Sequence, residues 1–339
     1  MIGEMKVAVV GSGAWGTALA LVLLENGHEV ILWSYLAEES ETLERTRENP
    51  MLPGVELPRA LHLTSDLSCV RGCSLVLTAV PSFAVRQTAA NLAPLLDRGA
   101  VVVSVSKGVE KETSYTLTQV IDEELHGKFP VVALSGPSHA EEVGRGVPTV
   151  VVCASKNRKA AELVQDAFLT PRFRIYASDD VIGVELGGAL KNVIALCAGV
   201  CDGLKTGDNT KAALMTRGLN EIARLGVAMG GRQETFAGLS GVGDLIVTCT
   251  SMHSRNRRAG IMIGGGMPVE EAIEKVGAVV EGYYATAAAR ELAKRFHVEM
   301  PIVEAAYGVF YEGKSPYSAI DQLMCRERKY ELENSWIHE

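Results

Sequence analysis

Lys6-Val-Ala-Val-Val10 runs straight into Gly11-Ser-Gly13-Ala-Trp-Gly16, and an amphipathic stretch carrying Leu19, Val22 and Leu23 follows. A β-rich run, a Gly-x-Gly-x-x-Gly turn and a helix, in that order, are the context in which this motif binds a dinucleotide. Gly11 permits the tight turn, Gly13 lets the backbone approach a pyrophosphate, and Gly16 lets the helix pack closely on the strand. The helix N-terminus then faces the phosphates. The alternative is a glycine-rich turn without a ligand, and position and context together favour the dinucleotide.

Working outward from this unit, β-rich runs at 29–33, 75–80, 100–105, 131–135, 150–153 and 173–176 alternate with helix-patterned stretches, the signature of a parallel sheet with crossover helices. Leu75-Val-Leu77 and Val101-Val-Val103 are continuous apolar runs, as expected of strands covered on both faces. After Tyr176 the pattern changes. Ser178, Asp179 and Asp180 can cap a helix, and helices are expected over 181–201, 210–229, 269–276, 286–296, 303–310 and 318–324. The expected fold class is α/β: an N-terminal Rossmann-like doubly wound sheet over 1–178 binding the dinucleotide, then an all-helical substrate-binding and catalytic domain over 179–339. The length of 339 residues suits two cores better than one.

Composition narrows the partners. A hydrophobic content of 47% and a charged content of 22% are those of a globular chain. A net charge of -8 favours neither nucleic acid nor an anionic membrane, so an anionic substrate needs local basic residues. No apolar run of about 18 residues suggests a membrane span, and no basic leader follows Met1, so a cytoplasmic protein is expected. The seven cysteines form no Cys-x-x-Cys motif and are expected to be reduced. Cys197 and Cys201 lie one helical turn apart, but their apolar surroundings suit buried small side chains better than a metal, and no metal is assigned.

Three stretches carry candidate chemistry. Ser104-Val-Ser-Lys107-Gly108 and Leu134-Ser-Gly136-Pro-Ser138-His-Ala140 follow strands, and open α/β sheets bind ligands beyond the carboxyl ends of their strands. His139 is a conceivable proton donor, although a lone histidine is more often structural. In Glu185-Leu-Gly187-Gly188-Ala-Leu-Lys191-Asn192, Lys191 is a charge in an apolar helix, which is expensive unless it has a function. Gly187 and Gly188 share its face and are expected to leave open space for a substrate. Finally, Leu239-Ser-Gly-Val-Gly243-Asp244 through Thr248, with Ser254-Arg255-Asn256-Arg257-Arg258, pairs a capping aspartate with an anion site, since arginine forks match phosphate oxygens. For Arg257 and Arg258 a solvated basic loop is the alternative.

Taken together, Gly11 to Gly16 with Trp15, Val80-Pro-Ser82, Ser106-Lys-Gly108, Ser135-Gly-Pro-Ser138, Ala189-Leu-Lys-Asn192 and Gly243-Asp-Leu245 through Ser254-Arg-Asn-Arg257 strongly resemble the NAD(P)-dependent glycerol-3-phosphate dehydrogenase family. The resemblance spans nearly the whole chain. It implies NAD(H) or NADP(H) as cofactor, a small phosphate-bearing substrate, a homodimer, and a role in phospholipid synthesis. It implies Lys191, Lys107 and Asp244 as catalytic residues. Gly136, Ser138, Asn192, Thr248, Ser254, Arg255 and Asn256 join Lys107 and Asp244 around the substrate. Gly11, Gly13, Ala14, Trp15, Gly16, Tyr35, Lys107, Ala140, Arg255, Val279 and Glu281 touch the dinucleotide. Two departures concern cofactor choice: Ala14 stands where the family often has serine, and Tyr35 where it often has a basic residue. The end of the second strand, Trp33-Ser-Tyr35, offers neither carboxylate nor arginine, and the nearest acids are Glu38 and Glu39. Modest discrimination between NADH and NADPH is therefore expected. Another β-hydroxyacid-type dehydrogenase on the same two-domain plan is an alternative, as is a nucleotide sensor without catalysis. The retained Lys107, Lys191 and Asp244 argue against the sensor, which needs no proton donor.

Overall fold

The computed structural model describes residues 3–110, 112–328 and 330–331, so 1–2 and 332–339, the outer ends of the two expected domains, lie outside the described residues. The first part is an open sheet of eight strands, β1 (Lys6–Val10), β2 (Glu29–Trp33), β3 (His62–Thr64), β4 (Leu75–Thr78), β5 (Val101–Ser104), β6 (Val131–Ser135), β7 (Thr149–Ala154) and β8 (Phe173–Ser178). Their order is 3-2-1-4-5-6-7-8. Between them run α1 (Ala14–Glu25), α2 (Ala37–Thr46), α3 (Val85–Leu92), α4 (Leu117–Glu124), α5 (Ala140–Val143) and α6 (Arg158–Phe168). The Val- and Leu-rich strands are buried on both faces, as their unbroken apolar runs require.

One feature of the sheet departs from the expected parallel pattern. β6 pairs antiparallel with β7, placing Leu134 opposite Cys153, while β7 and β8 run parallel to each other. The chain returns through the single turn of α5 rather than through a full crossover helix. The three-residue strand β3, absent from the sequence reading, pairs along β2 through Ile31 and His62. The carboxyl ends of β1, β4, β5 and β6 share one edge. The order reverses between β1 and β4, the topological switch point where such sheets bind ligands.

The sheet ends at Ser178, and the Asp180 carboxylate caps the next helix by accepting from Gly183 N at 3.0 Å. The rest is helical: α7 (Val181–Leu204), α8 (Asp208–Ala228), α9 (Gln233–Phe236), α10 (Asp244–Thr250), α11 (Arg255–Gly264), α12 (Val269–Val276), α13 (Glu281–Arg295), α14 (Pro301–Tyr311) and α15 (Pro316–Met324). α7 is the axis of this part. It is long and apolar enough to cross a membrane by length and composition, yet 83% of its most apolar 18-residue window is buried inside the protein. Against it α11 packs backbone to backbone, since a Cβ on Gly260 would lie 2.1 Å from the Leu196 carbonyl oxygen. The basic stretch after Ser254 is thus a packed helix and not a solvated loop. Arg257 is tied to Asp202 at 2.8 Å, whereas Arg258 is exposed. All seven cysteines are free thiols.

Candidate active site

The glycine loop fits a dinucleotide in its own geometry. Gly11 has φ +123, and a Cβ there would meet the Ala79 carbonyl oxygen at 2.5 Å, so no other residue suits the turn. A Cβ on Gly16 would lie 2.0 Å from Gly11 O, which is the close packing the sequence predicts. Around Gly13 there is open space within 4 Å, and the N-terminus of α1 has no side-chain cap. Orphan N–H groups and room beside them are what a pyrophosphate needs. Ala14 and Trp15 pack against the sheet's core, while Tyr35 is 81% exposed and edge-on to Trp33. Ala140 opens α5. Half-buried Val279 precedes α13, and Glu281 opens that helix and accepts from Ser82 Oγ at 3.0 Å.

A second cluster assembles beside the carboxyl ends of β5 and β6. Asp244 is 1% exposed; its Oδ1 accepts from Lys191 Nζ at 2.6 Å and its Oδ2 from Lys107 Nζ at 2.5 Å. Lys191 Nζ also donates to Thr248 Oγ1, and Lys107 Nζ to Gly136 O at 3.1 Å. Burial pushes the Asp244 carboxyl up, but the two ammonium groups outweigh it and hold the group below the usual carboxylate range. Lys191 is buried in turn, and desolvation lowers its ammonium to about 8 despite the opposing pull of Asp244, with the Lys107 charge adding to the fall. An ammonium donates three hydrogen bonds. Lys191 uses two within the described residues, and the third is left for a ligand. Asp244 is therefore an ion-pair centre and not a helix cap: Gly243 holds the cap position of α10, and the Asp244 side chain makes no capping bond.

Two family descriptions match the chain: the N-terminus of NAD-dependent glycerol-3-phosphate dehydrogenase over residues 6–161, and its C-terminus over 180–321. The chain belongs to the NAD-dependent glycerol-3-phosphate dehydrogenase family. The glycerol-3-phosphate dehydrogenase [NAD(P)+] of Moorella thermoacetica is 56% identical over 331 residues, covering 97% of this chain and 98% of its own length. The enzyme of that name from Desulfitobacterium hafniense is 53% identical over 329 residues, covering 97% and 93%. A crystal structure of glycerol-3-phosphate dehydrogenase from Coxiella burnetii superimposes with a TM-score of 0.91 at 39% identity, covering 95% of this chain and 99% of that one. This family member is an NAD(P)-dependent oxidoreductase acting on a CH–OH group.

In the dehydrogenase, Gly187 and Gly188 do not open the space expected beside Lys191. A Cβ on Gly187 would stand 2.6 Å from Ser240 O, and one on Gly188 2.3 Å from Ser135 Oγ. They let α7 press against the π-helical turn Leu239–Gly243 that leads into Asp244, and against the end of β6. Gly136 (φ +137) turns the chain so that its carbonyl accepts from both Lys107 and Ser138 Oγ. Ser254 caps α11 by accepting from Arg257 N. Asn256 bridges helices, accepting from Gly282 N at 2.8 Å and donating to Asn192 Oδ1 at 2.9 Å. Arg255 is exposed and makes no hydrogen bond or ion pair among the described residues, which leaves its fork free. His139 stands at the N-cap position of α5 without a capping side-chain bond, its Nε2 3.5 Å from Val247 O of α10. Burial and the Lys191 charge hold that imidazole below its usual range, making it a poor proton donor near neutrality.

Two residues escaped the sequence reading because only tertiary structure gives them partners. Glu185 on α7 accepts from Thr118 N at 2.9 Å and from Thr118 Oγ1, so it ties α7 to the first turn of α4. Ser82 donates to Glu281, which opens α13. The Val80-Pro-Ser82 motif signalled Ser82 only as part of a family pattern.

Proposed function

We propose that Lys191 carries the proton in the reaction of this enzyme, the interconversion of dihydroxyacetone phosphate and sn-glycerol 3-phosphate with NAD(H) or NADP(H). The observation supporting this most directly is the Lys191 ammonium, buried and held by Asp244 and Thr248 with one N–H to spare. As an ammonium it gives its proton to the ketone oxygen; as an amine it takes the hydroxyl proton in reverse. A group titrating at about 8 can do both near neutrality. The dinucleotide, when bound, supplies or accepts the hydride. Lys107 adds positive charge where negative charge develops on the substrate oxygen. Asp244 orients both lysines, and Thr248 holds Lys191 from its other side. Gly136, Ser138 and Asn192 would line the substrate. Ser254, Arg255 and Asn256, at the N-terminus of α11, would take its phosphate, whose oxygens match an arginine fork.

The dinucleotide would lie along Gly11, Gly13, Ala14, Trp15 and Gly16, with Tyr35, Lys107, Ala140, Arg255, Val279 and Glu281 around it. Residues 1–178 then form the dinucleotide-binding unit and 179–339 the substrate-binding and catalytic unit. The same reading takes the enzyme to be a cytoplasmic homodimer that supplies glycerol phosphate for phospholipid synthesis. Oxidation of NADH or NADPH, followed with dihydroxyacetone phosphate and with unphosphorylated dihydroxyacetone, tests it. Loss of charge-assisted hydrogen bonds to phosphate should lower kcat/KM for dihydroxyacetone by at least about a hundredfold. Equal rates with the two ketones, or none with either while the nucleotide binds, would contradict this substrate.

A further inference from the structure

We propose that Glu39 makes this dehydrogenase select NADH over NADPH, by accepting a hydrogen bond from the adenosine ribose and repelling a 2′-phosphate; this rests on the dinucleotide site proposed above. Ser12 lies between the two glycines of the loop and is 4% exposed. Its hydroxyl donates to Glu39 Oε1 at 2.8 Å, and its carbonyl accepts from Asn49 Nδ2 at 2.8 Å, so the loop is pinned on both sides. Gly11 N donates to Trp33 O at 3.0 Å, which sets the loop against the end of β2. In a strand-turn-helix dinucleotide site the ribose hydroxyls lie between these two features, where an acidic side chain accepts from the 2′-hydroxyl.

The end of β2 supplies no such acid. The Ser34 hydroxyl is buried without a partner, and the Tyr35 side chain points out, 81% exposed. Glu39 takes that place instead, carried in by the first turn of α2. Its Oε2 accepts no hydrogen bond among the described residues and is free for a hydroxyl. The charge near it is acidic: from Val30 to Glu44 there is no Lys, Arg or His, whereas Glu38, Glu39, Glu41 and Glu44 all fall there, and the next cations, Arg45 and Arg47, sit at the other end of α2, Arg47 paired with Glu44. A 2′-phosphate adds close to two negative charges and three acceptor oxygens, and the first turn of α2 offers two acids and no cation to receive them. The modest discrimination expected from Trp33-Ser-Tyr35 is revised accordingly.

Equilibrium titration of the full chain with NADH and with NADPH, by calorimetry at one ionic strength, reads the proposal directly. The wild-type protein should bind NADH at least about thirtyfold tighter, the scale of one charged hydrogen bond gained and one repulsion avoided. Glu39→Gln keeps an acceptor for Ser12 and for the ribose but removes the charge, so NADPH should tighten and the ratio should fall below about threefold. If Glu39 only anchors α2 to the loop, Glu39→Gln will weaken both nucleotides by the same factor and leave the ratio unchanged, which overturns the assignment. A wild-type ratio within about threefold overturns it without any variant. Binding of neither nucleotide would overturn the dinucleotide reading as well, so the two failures are distinguishable.

Discussion

Asp244 is 1% exposed and Glu221 3% exposed, and each lies where an unpaired carboxylate would be costly. Their partners differ. Asp244 receives two ammonium groups, and its carboxyl is held below the usual range although burial alone would raise it. Glu221, on α8, receives neutral donors: Ile302 N at 2.9 Å and Val303 N at 3.3 Å, the first turn of α14. There burial outweighs these donors and the more distant Arg224 and Arg326 charges, and its carboxyl is pushed up to about 7. Glu185 repeats the second case, since the backbone N–H and hydroxyl of Thr118 leave its carboxyl raised by burial. Neutral N–H groups satisfy a buried carboxylate's geometry without compensating its charge, whereas ammonium groups do both. Of these three buried acids only Asp244 is paired directly with cations, and the other two tie helices together.

The largest expected effect removes the cation on which that contrast depends. Lys191→Ala deletes the proton carrier and leaves Asp244 with Lys107 alone. Positioned proton transfer contributes about a hundred- to ten-thousandfold, so kcat should fall by at least that much while the dinucleotide still binds. Nucleotide titration establishes that the variant is folded, and single-turnover kinetics show that chemistry is being measured. A variant within about tenfold of wild-type kcat would make Lys107 the proton carrier instead.

What could be read from the sequence follows from how local each device is. The glycine loop is contiguous, so Gly11 and Gly16 disclose turn and packing. Lys191 stood out because a charge in an apolar helix must be explained. The family pattern points to Asp244, but its pairing with both lysines is hidden, since they are 53 and 137 residues away and an acid after Gly243 looks locally like a cap. Gly187 and Gly188 suggested room because a missing Cβ says nothing about what fills the space. In the sequence Glu39 is only a nearby acid, because its approach to Ser12 depends on how α2 leaves β2. Strand β3 is too short for its pattern to register, and the antiparallel turn into β7 leaves no periodic signal.

Asp244→Asn breaks the comparison from the other side. It keeps shape and hydrogen-bonding capacity but leaves two ammonium groups facing a neutral amide, as at Glu221 in reverse. Losing the opposite charge should lower the Lys191 ammonium further below its value of about 8. Ketone reduction needs the ammonium, so its kcat/KM falls as pH rises through the Lys191 value. In the variant that fall should begin at lower pH. An unchanged pH profile would mean that Asp244 does not set the proton affinity of Lys191.

Glu221→Gln sharpens the structural half of the contrast through stability rather than rate. With a folded value near 7 against an ordinary 4.5, the native state binds this proton more tightly than the unfolded chain does. Its contribution is therefore fully present below pH 4.5 and is lost as pH rises through 7. A shift of that size corresponds to about 3 kcal/mol at most. Urea unfolding of wild type and variant at pH 5 and pH 8 checks it: relative to wild type, the Gln variant should be more stable at pH 8 than at pH 5. A pH-independent difference would show that Glu221 stays ionised in the fold.

The smallest expected effect tests whether the Asp244 centre depends on the fit of α7 rather than on its charges. At Gly187 a new methyl would face the Ser240 carbonyl at 2.6 Å, backbone that can move only by shifting the π-helical turn into Asp244. At Gly188 it would face Ser135 Oγ at 2.3 Å, the end of a side chain whose hydroxyl has no partner to lose when it rotates. Both alanines gain about 1 kcal/mol of helix propensity, and overpacking against a rigid neighbour costs about 1–3 kcal/mol. Gly188→Ala should therefore be near neutral in stability and rate. Gly187→Ala should lower the denaturation midpoint and reduce kcat several-fold, with the Glu221 contribution to pH-dependent stability unaltered. Equal behaviour of the two alanines would mean that the turn yields freely and that its contact with α7 does not position Asp244.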